Sequence, residues 1–224
     1  RHGILMANQY FSYLPDFEYV SRLSGSNISD YVRVKNLFKR TKINDTIFGD
    51  LTNFTKYKII GNERPDQVAF KIYGDSNLDW LVMLTNNIVN YQNEWPLQED
   101  AFYNYLIGKY GSEEKIFNVH HYETKEVKSS LGVTIVPQGL EVPSTYSVTF
   151  YDNGQMKTES LLDTVTNYNY EQKIQNDRRN IFLLKTQFLS LALETVEDVL
   201  ANQSGSSQYI SDELSRGENI RLYQ

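Results

Sequence analysis

A chain of 224 residues with 40% hydrophobic content is long enough to bury a core, as one decorated domain or two small ones. A charged fraction of 22%, a net charge of -6 and 13% aromatic residues, with 17 tyrosines, exclude a disordered solvating polymer. Cysteine is absent, which removes disulfide frameworks, thiolate metal sites and cysteine nucleophiles, and no apolar run approaches the roughly 20 residues of a bilayer span.

Ile4-Leu5-Met6 is too short for the apolar region of a secretory signal, so a soluble compartment is expected. The chain begins with Arg1, and Met6 is a candidate natural start, residues 1–5 then being an upstream remnant. Tyr10, Phe11, Tyr13, Leu14, Phe17 and Tyr19 make the first stretch aromatic without clean periodicity; left bare it would aggregate, so it is expected to dock on its own domain or on a neighbour. Ser24-Gly25-Ser26-Asn27 then breaks the chain. From Tyr31 to Arg64 eight basic residues, Arg33, Lys35, Lys39 and Arg40 among them, face three acidic ones, a local net of +5 in a chain whose remainder carries -11. A sequence pI of 5.2 speaks against a nucleic-acid footprint, which leaves a solvated face or contact with an acidic partner subunit.

Tyr57-Lys58-Ile59-Ile60 reads as a strand that stops at Gly61-Asn62. Pro65 suits a first helical position, Asp66 favours the positive end of the helix dipole, and Val68, Ala69, Ile72 and Tyr73 recur on one helical face before Gly74 supplies a left-handed end. At that cap a β-branched replacement, Gly74→Val, is expected to destabilise. A second helix starts at once, with Ser76 as its expected cap and Asp79 three residues on, and it closes at Asn86-Asn87. Leu78, Leu81, Val82 and Thr85 line one side and Trp80 and Leu84 another, so this helix is expected to be buried on more than one side. Strand, two short helices and a connection to a further strand make a β-α-α-β plan.

Tyr91 to Trp95 reads as an aromatic loop. Pro96 opens a third helix with Phe102, Tyr105, Leu106 and Tyr110 as its stripe and Gly111 as its end. Ile116 to Thr124 reads as a strand, and the stretch with Gly132, Pro137, Gly139 and Pro143 as a β-rich insertion or long loop. Tyr146, Val148 and Phe150 alternate with polar residues before Asp152-Asn153-Gly154, a hairpin turn signal. Asn167 to Asn176 is a polar helix, Ile181 to Leu184 a short apolar strand or connector, and Thr186 to Asn202 an amphipathic helix whose face is Phe188, Leu189, Ala192, Leu193, Val196, Val199 and Leu200. Gln203 to Gln224 reads as a flexible or partner-docked tail. The expected class is therefore α+β: a β-α-α-β core with an added β-hairpin and C-terminal helices between extended terminal arms. Its expected segments are 1–54 (arm and basic segment), 55–127 (core with the following helix and strand), 128–165 (β-rich insertion and hairpin) and 166–224 (helical region and tail).

No chemistry-bearing motif is found. The histidines are His2, His120 and His121, and the adjacent pair is expected to point to opposite faces of a strand, which disfavours a shared metal. Gly-x-Ser-x-Gly elbows and phosphate-cradling glycine loops are absent, and Glu99-Asp100 and Glu113-Glu114 read as solvated caps rather than a glycosidase pair. Tyr57, Tyr91, Tyr103, Tyr105, Trp80 and Trp95 could form an aromatic platform for sugars or for a protein partner, or, for the two tryptophans, simply core. No cofactor, metal, membrane, nucleic acid or small-molecule substrate is expected, nor an enzymatic role.

The run from Tyr57 through Gly61, Glu63, Arg64, Pro65, Asp66, Tyr73 and Gly74 to Trp80 and Asn86 resembles the small LysM-like baseplate wedge proteins of T-even-type contractile-tail phages. The resemblance extends to Tyr10-Phe11-Ser12, Trp95-Pro96, Lys109-Tyr110-Gly111, His120 to Glu123 and Arg178 to Ile181. It implies a LysM-like core whose extensions bind other wedge subunits, joining neighbouring wedges around the hub in a six-fold assembly beside sheath-initiator-like and hub-proximal proteins. The virion baseplate is then the expected location, with assembly in the host cytoplasm. In that reading Glu63, Arg64, Pro65 and Asp66 open the first helix, Tyr73-Gly74-Asp75 make the turn and Trp80 is the packing centre. Tyr10, Phe11, Tyr13, Phe17, Arg33, Lys39, Arg40 and Trp95 are the interface candidates. The stretch from Val127 to Ser144 departs from shorter family members. The rival is a peptidoglycan- or chitin-binding LysM module, against which stands the want of an export signal or a linked hydrolase.

Overall fold

The computed structural model describes residues 9–21, 23–25, 27, 30–41, 49–205 and 208–217. Met6, His2 and the charges of Lys42 and Asp45 lie outside them. Two compact units emerge: residues 1–95 with 180–224, and residues 96–179.

The first unit opens with a one-turn helix, α1 (Tyr10–Tyr13), and two strands, β1 (Asp16–Val20) and β2 (Tyr31–Lys35). These pair antiparallel with Phe17 opposite Val34 and Glu18 opposite Arg33. Strand β3 is Phe54–Lys58, which starts earlier than the expected Tyr57–Ile60: Ile59 turns into the core at 1% exposure while Ile60 is 67% exposed, so the apolar pair opens a loop. Helix α2 (Pro65–Tyr73) begins as the sequence predicts, with the Arg64 N–H donating to the Gln67 side-chain oxygen at 3.0 Å. It ends at Gly74, whose φ of 79° is open to glycine and resisted by branched residues. The cap of the next turn is Asp75, not Ser76: its carboxylate accepts from the Asn77 N–H at 2.9 Å and starts a 3-10 turn, Ser76–Leu78, that runs into α3 (Asp79–Thr85). Tyr91–Glu94, expected as loop, is a single helical turn, α4, capped by Asn90.

The second unit starts with α5 (Glu99–Tyr110), three residues beyond Pro96, and Gly111 ends it at φ 85°. A one-turn helix α6 (Glu113–Ile116) holds Ile116 at 1% exposure, so the strand expected from 116 begins at Val119, as β4 (Val119–Thr124). Then come β5 (Val127–Lys128), β6 (Thr134–Val136), β7 (Glu141–Val142), β8 (Val148–Asp152), β9 (Gln155–Glu159) and β10 (Leu162–Thr166). They form a three-stranded sheet ordered β10-β4-β7 and two hairpins, β5-β6 and β8-β9. The β8-β9 turn has positive φ at Asn153 (50°) and Gly154 (77°), the backbone that Asn-Gly favours and that matches the strand twist. Helix α7 (Asn167–Arg178) closes the unit, its first turn capped by the Thr166 hydroxyl.

The chain then returns to the first unit. β11 (Asn180–Leu184) pairs antiparallel with β3, Ile181 opposite Tyr57 and Leu183 opposite Thr55. The strand that pairs with β3 is therefore this apolar run, which the chain reaches only after residues 96–179. A 3-10 turn, Thr186–Phe188, leads into α8 (Leu189–Leu200). Ala192, Val196 and Leu200 of α8 are fully buried; Val199, expected on that face, is 47% exposed. The expected tail is also structured in its described part: β12 (Tyr209–Ser211) and β13 (Leu214–Arg216) complete a four-stranded sheet, order β12-β13-β1-β2, with β13 parallel to β1. One hydrophobic cluster joins α1, β11, α8 and the helix pair, with Val68, Ala69, Leu81, Val82 and Leu184 at its centre.

Candidate functional site

The helix-pair motif is a set of structural ties. Tyr57 and Lys71 converge on Glu63, which accepts from the Tyr57 hydroxyl at 2.9 Å, the Ile60 N–H at 3.0 Å and Lys71 at 3.2 Å, clamping the β3-α2 loop around Gly61. Burial pushes the Glu63 carboxyl up, but these three donors outweigh it and hold it below its ordinary value. Arg64, largely exposed, pairs with the half-buried Asp66 at 3.1 Å at the start of α2. Tyr73 donates its hydroxyl to the Leu184 carbonyl at 3.0 Å, and its burial pushes the phenol up to about 12. Asn86 does more than close a helix: its amide nitrogen donates to the Phe182 and Val82 carbonyls at 2.9 and 2.8 Å while its oxygen accepts from the Phe182 N–H at 2.8 Å. The side chain imitates a strand residue on the side of β11 away from β3. Pro65 is buried and Trp80, at 7% exposure, packs against Tyr10 and Tyr13 with ring centroids 5.7 and 5.8 Å apart.

Trp95 is core as well, 4% exposed, with its indole N–H donating to the Glu63 carbonyl at 3.0 Å. With Trp80 also inside, both tryptophans serve the core rather than an aromatic face for sugars. Tyr103 and Tyr105 belong to the other unit. Among the interface candidates of the arm, Tyr10 and Tyr13 are half-buried on Trp80, Phe17 is half-buried in the sheet, and Phe11 is 62% exposed. The apolar surface is larger just after β2, where Leu37 is 68% and Phe38 97% exposed.

The basic segment is mostly spent within the unit. Arg33 and Arg216, from opposite ends of the chain, both bind Glu18, at 3.0 and 2.7 Å, and hold its carboxyl below the ordinary value, Arg216 foremost. Lys35 pairs with Asp16 at 2.9 Å. Lys39 donates to the Leu200 and Ala201 carbonyls at 2.8 Å, a cation at the negative end of α8, and burial lowers its pKa. Arg40 remains exposed beside an open cleft of about 410 Å³ that it lines with Lys39, Asn202 and Tyr209. Glu18 and Arg216 escaped sequence reasoning because nothing local links positions 18 and 216.

In the second unit the carboxylate of Glu171 is 2% exposed and takes Lys109 together with the hydroxyls of Tyr110 at 2.9 Å and Tyr105 at 3.4 Å. The bond to Glu171 raises the pKa of Lys109. His120 and His121 do not point to opposite faces: their Nδ1 atoms are 2.8 Å apart, His121 Nε2 lies 3.2 Å from Glu123, and His120 stacks on Tyr170 at 4.0 Å. The cause is a bulge. Val165 pairs with His121 and Thr166 with Val119, which leaves His120 as the extra residue and breaks the alternation. Among the described residues no group of three or more metal-ligating side chains is present, and no helix is long and apolar enough to cross a membrane.

A family model described as base plate wedge protein 53 matches residues 9–133, more than half of the chain. No curated protein matches.

Proposed function

Because the chain belongs to the base plate wedge protein 53 family, and is thus a structural protein of the phage virion baseplate that interacts with other baseplate proteins, we propose that it joins wedge subunits and neighbouring wedges around the hub during tail assembly. Its partners in this reading are the other wedge subunits and the sheath-initiator-like and hub-proximal proteins of a six-fold ring, assembled in the host cytoplasm. The β-α-α-β core acts as a LysM-like scaffold, with the ties of Glu63, Tyr73 and Asn86 fixing it. The observation that carries the proposal is the contrast between that closed core and the bare apolar end of β2, where Leu37 and Phe38 are 68% and 97% exposed. Surface of this kind marks an interface when it is rimmed by polar groups, as Lys39 and Arg40 rim it here.

The test is co-expression with the other wedge proteins of the same phage, followed by size-exclusion chromatography. Co-elution in a stoichiometric complex is expected. Deleting the arm would be a poor control, since Leu14, at 2% exposure, belongs to the core; Phe38→Ser changes only exposed surface and is expected to weaken the complex at unchanged melting temperature. A chain that elutes alone in the presence of every wedge protein would refute the role.

A further inference from the structure

β2 is an edge strand among the described residues, with backbone groups of Arg33 and Lys35 left open on its outer side. Its ladder to β1 runs in register from Tyr31 opposite Val20 to Lys35 opposite Asp16. Two bonds that bracket the ladder decide which groups face β1: the Asn36 N–H donates to the Pro15 carbonyl at 2.9 Å, and the Ser21 N–H donates to the Asp30 carbonyl at 2.7 Å. Bonded and non-bonded pairs alternate in an antiparallel ladder. Val32 and Val34 therefore bond to β1, and the backbones of Tyr31, Arg33 and Lys35 point away from it. The Lys35 carbonyl is taken by the Leu37 N–H at 3.0 Å. Among the described residues the Arg33 N–H and C=O and the Lys35 N–H meet no partner. The opposite edge of the sheet is blunted: β12 has three residues and a register shift against β13.

The charge of this edge selects its occupant. Residues 31–41 hold Arg33, Lys35, Lys39 and Arg40 and no carboxylate. Two copies paired along β2 would set Arg33 and Lys35 against their counterparts; Glu18 and Asp16 offset them only in part, because Glu18 also serves Arg216, and like charges directly opposite destabilise a sheet. A second copy is therefore the wrong partner. Arg33 and Lys35 lie on one face of the sheet with Glu18 and Asp16, while Val32 and Val34 lie on the other with Tyr19 and Phe17.

We propose that β2 accepts an extended strand from another baseplate protein, one that alternates acidic and apolar residues, as the next strand of the sheet. The acidic side chains would lie opposite Arg33 and Lys35, the apolar ones beside Val32 and Val34, and Phe38 would cover the strand's end. Main-chain bonds to Arg33 and Lys35 supply affinity and the alternation supplies selectivity. This rests on the reading of the chain as a wedge subunit.

The experiment compares Lys35→Pro with Lys35→Ala in the reconstituted wedge. Both variants lose the ammonium and its bond to Asp16, but only proline removes the outward N–H, which β1 does not use. Each is first checked for an unchanged fold by its melting curve. Lys35→Pro is expected to enter the wedge at least about tenfold less well than Lys35→Ala, a difference on the order of one or two backbone hydrogen bonds. Hydrogen exchange by mass spectrometry on the unmodified chain is expected to slow at least about tenfold over residues 31–38 on wedge entry. If the wedge forms while 31–38 stays unprotected, or if both variants enter equally, strand addition is overturned and the structural role stands. If the segment becomes protected in the isolated chain as its mass doubles, the occupant is a second copy and the proposal is wrong. If the unmodified chain joins no wedge, both readings fall.

Discussion

The two units of this chain hold themselves together differently. Prolines aside, of the twenty buried apolar side chains among the described residues only Leu106, Ile116, Val127 and Val136 lie in residues 96–179; the others belong to the unit built on the helix pair. The first unit is thus organised by hydrophobic burial, with polar ties such as Asn86 and Tyr73 selecting which strand lies where. The second has a thin core and relies on a buried carboxylate, Glu171, and on short hairpins held by turn chemistry. A small unit with few buried apolar groups is marginal by itself, and a polar network in its interior gives geometry at little net gain in stability.

The first unit should depend most on its core. Leu81→Ala, at a fully buried site, is expected to cost about 2 to 5 kcal/mol and to lower the main thermal transition; a loss below about 1 kcal/mol would mean the helix pair does not carry the unit. In the second unit the sharper probe is an asymmetry. Lys109→Met leaves the buried Glu171 carboxylate without its cation, which costs about 3 kcal/mol. Glu171→Gln leaves a lysine whose side chain is 45% exposed and can rehydrate, so its cost should be clearly smaller. Equal losses in urea titrations of the two variants would contradict the assigned roles. Asn86→Ala removes both bonds to Phe182 and is expected to cost about 2 kcal/mol, with faster amide exchange along β11 and little change in α5 or α7.

The smallest effects separate the units by pH. Tyr73 is held neutral, about 12 against an ordinary 10.0. Its folded value is raised, so its contribution is complete below pH 10 and disappears as pH rises through about 12; alkali in that range is expected to loosen the bond from Tyr73 to Leu184 in the first unit. Asp152 is lowered from 3.8 to about 2, chiefly by Lys157 and then by the Ser130 hydroxyl and N–H. Its contribution is present above pH 3.8 and lost as pH falls through about 2, so acid should loosen the β8-β9 hairpin in the second unit. Tyrosine absorbance and exchange over residues 148–159 read these two transitions.

What was legible in the sequence was what neighbouring residues decide. Gly74 and Gly111 end helices because each needs positive φ, and Asn153-Gly154 turns a hairpin for the same reason. The helix pair is readable from the spacing of Val68, Ala69, Ile72, Leu78, Leu81 and Val82. Partners far along the chain were not legible. Ile181 to Leu184 is too short and too uniformly apolar for periodicity to tell strand from connector, and its partner β3 lies more than 120 residues earlier. The C-terminal stretch reads as a tail because it is rich in Ser and Gly; its described part is ordered by pairing with β1 through Glu18 and Arg216, a contact that no local rule contains. Of the candidate site, the motif residues were found for their family likeness while their work as ties became visible only in the fold. Trp95 illustrates the converse, since its aromatic surroundings suggested a surface and its indole is inside.

Baseplate assembly from the purified wedge proteins of the same phage, with and without this chain and imaged by electron microscopy, tests the joining role most directly. Separate wedges and few closed rings are expected when the chain is left out, and closed rings when it is restored. Closed rings in equal number without it would contradict that role.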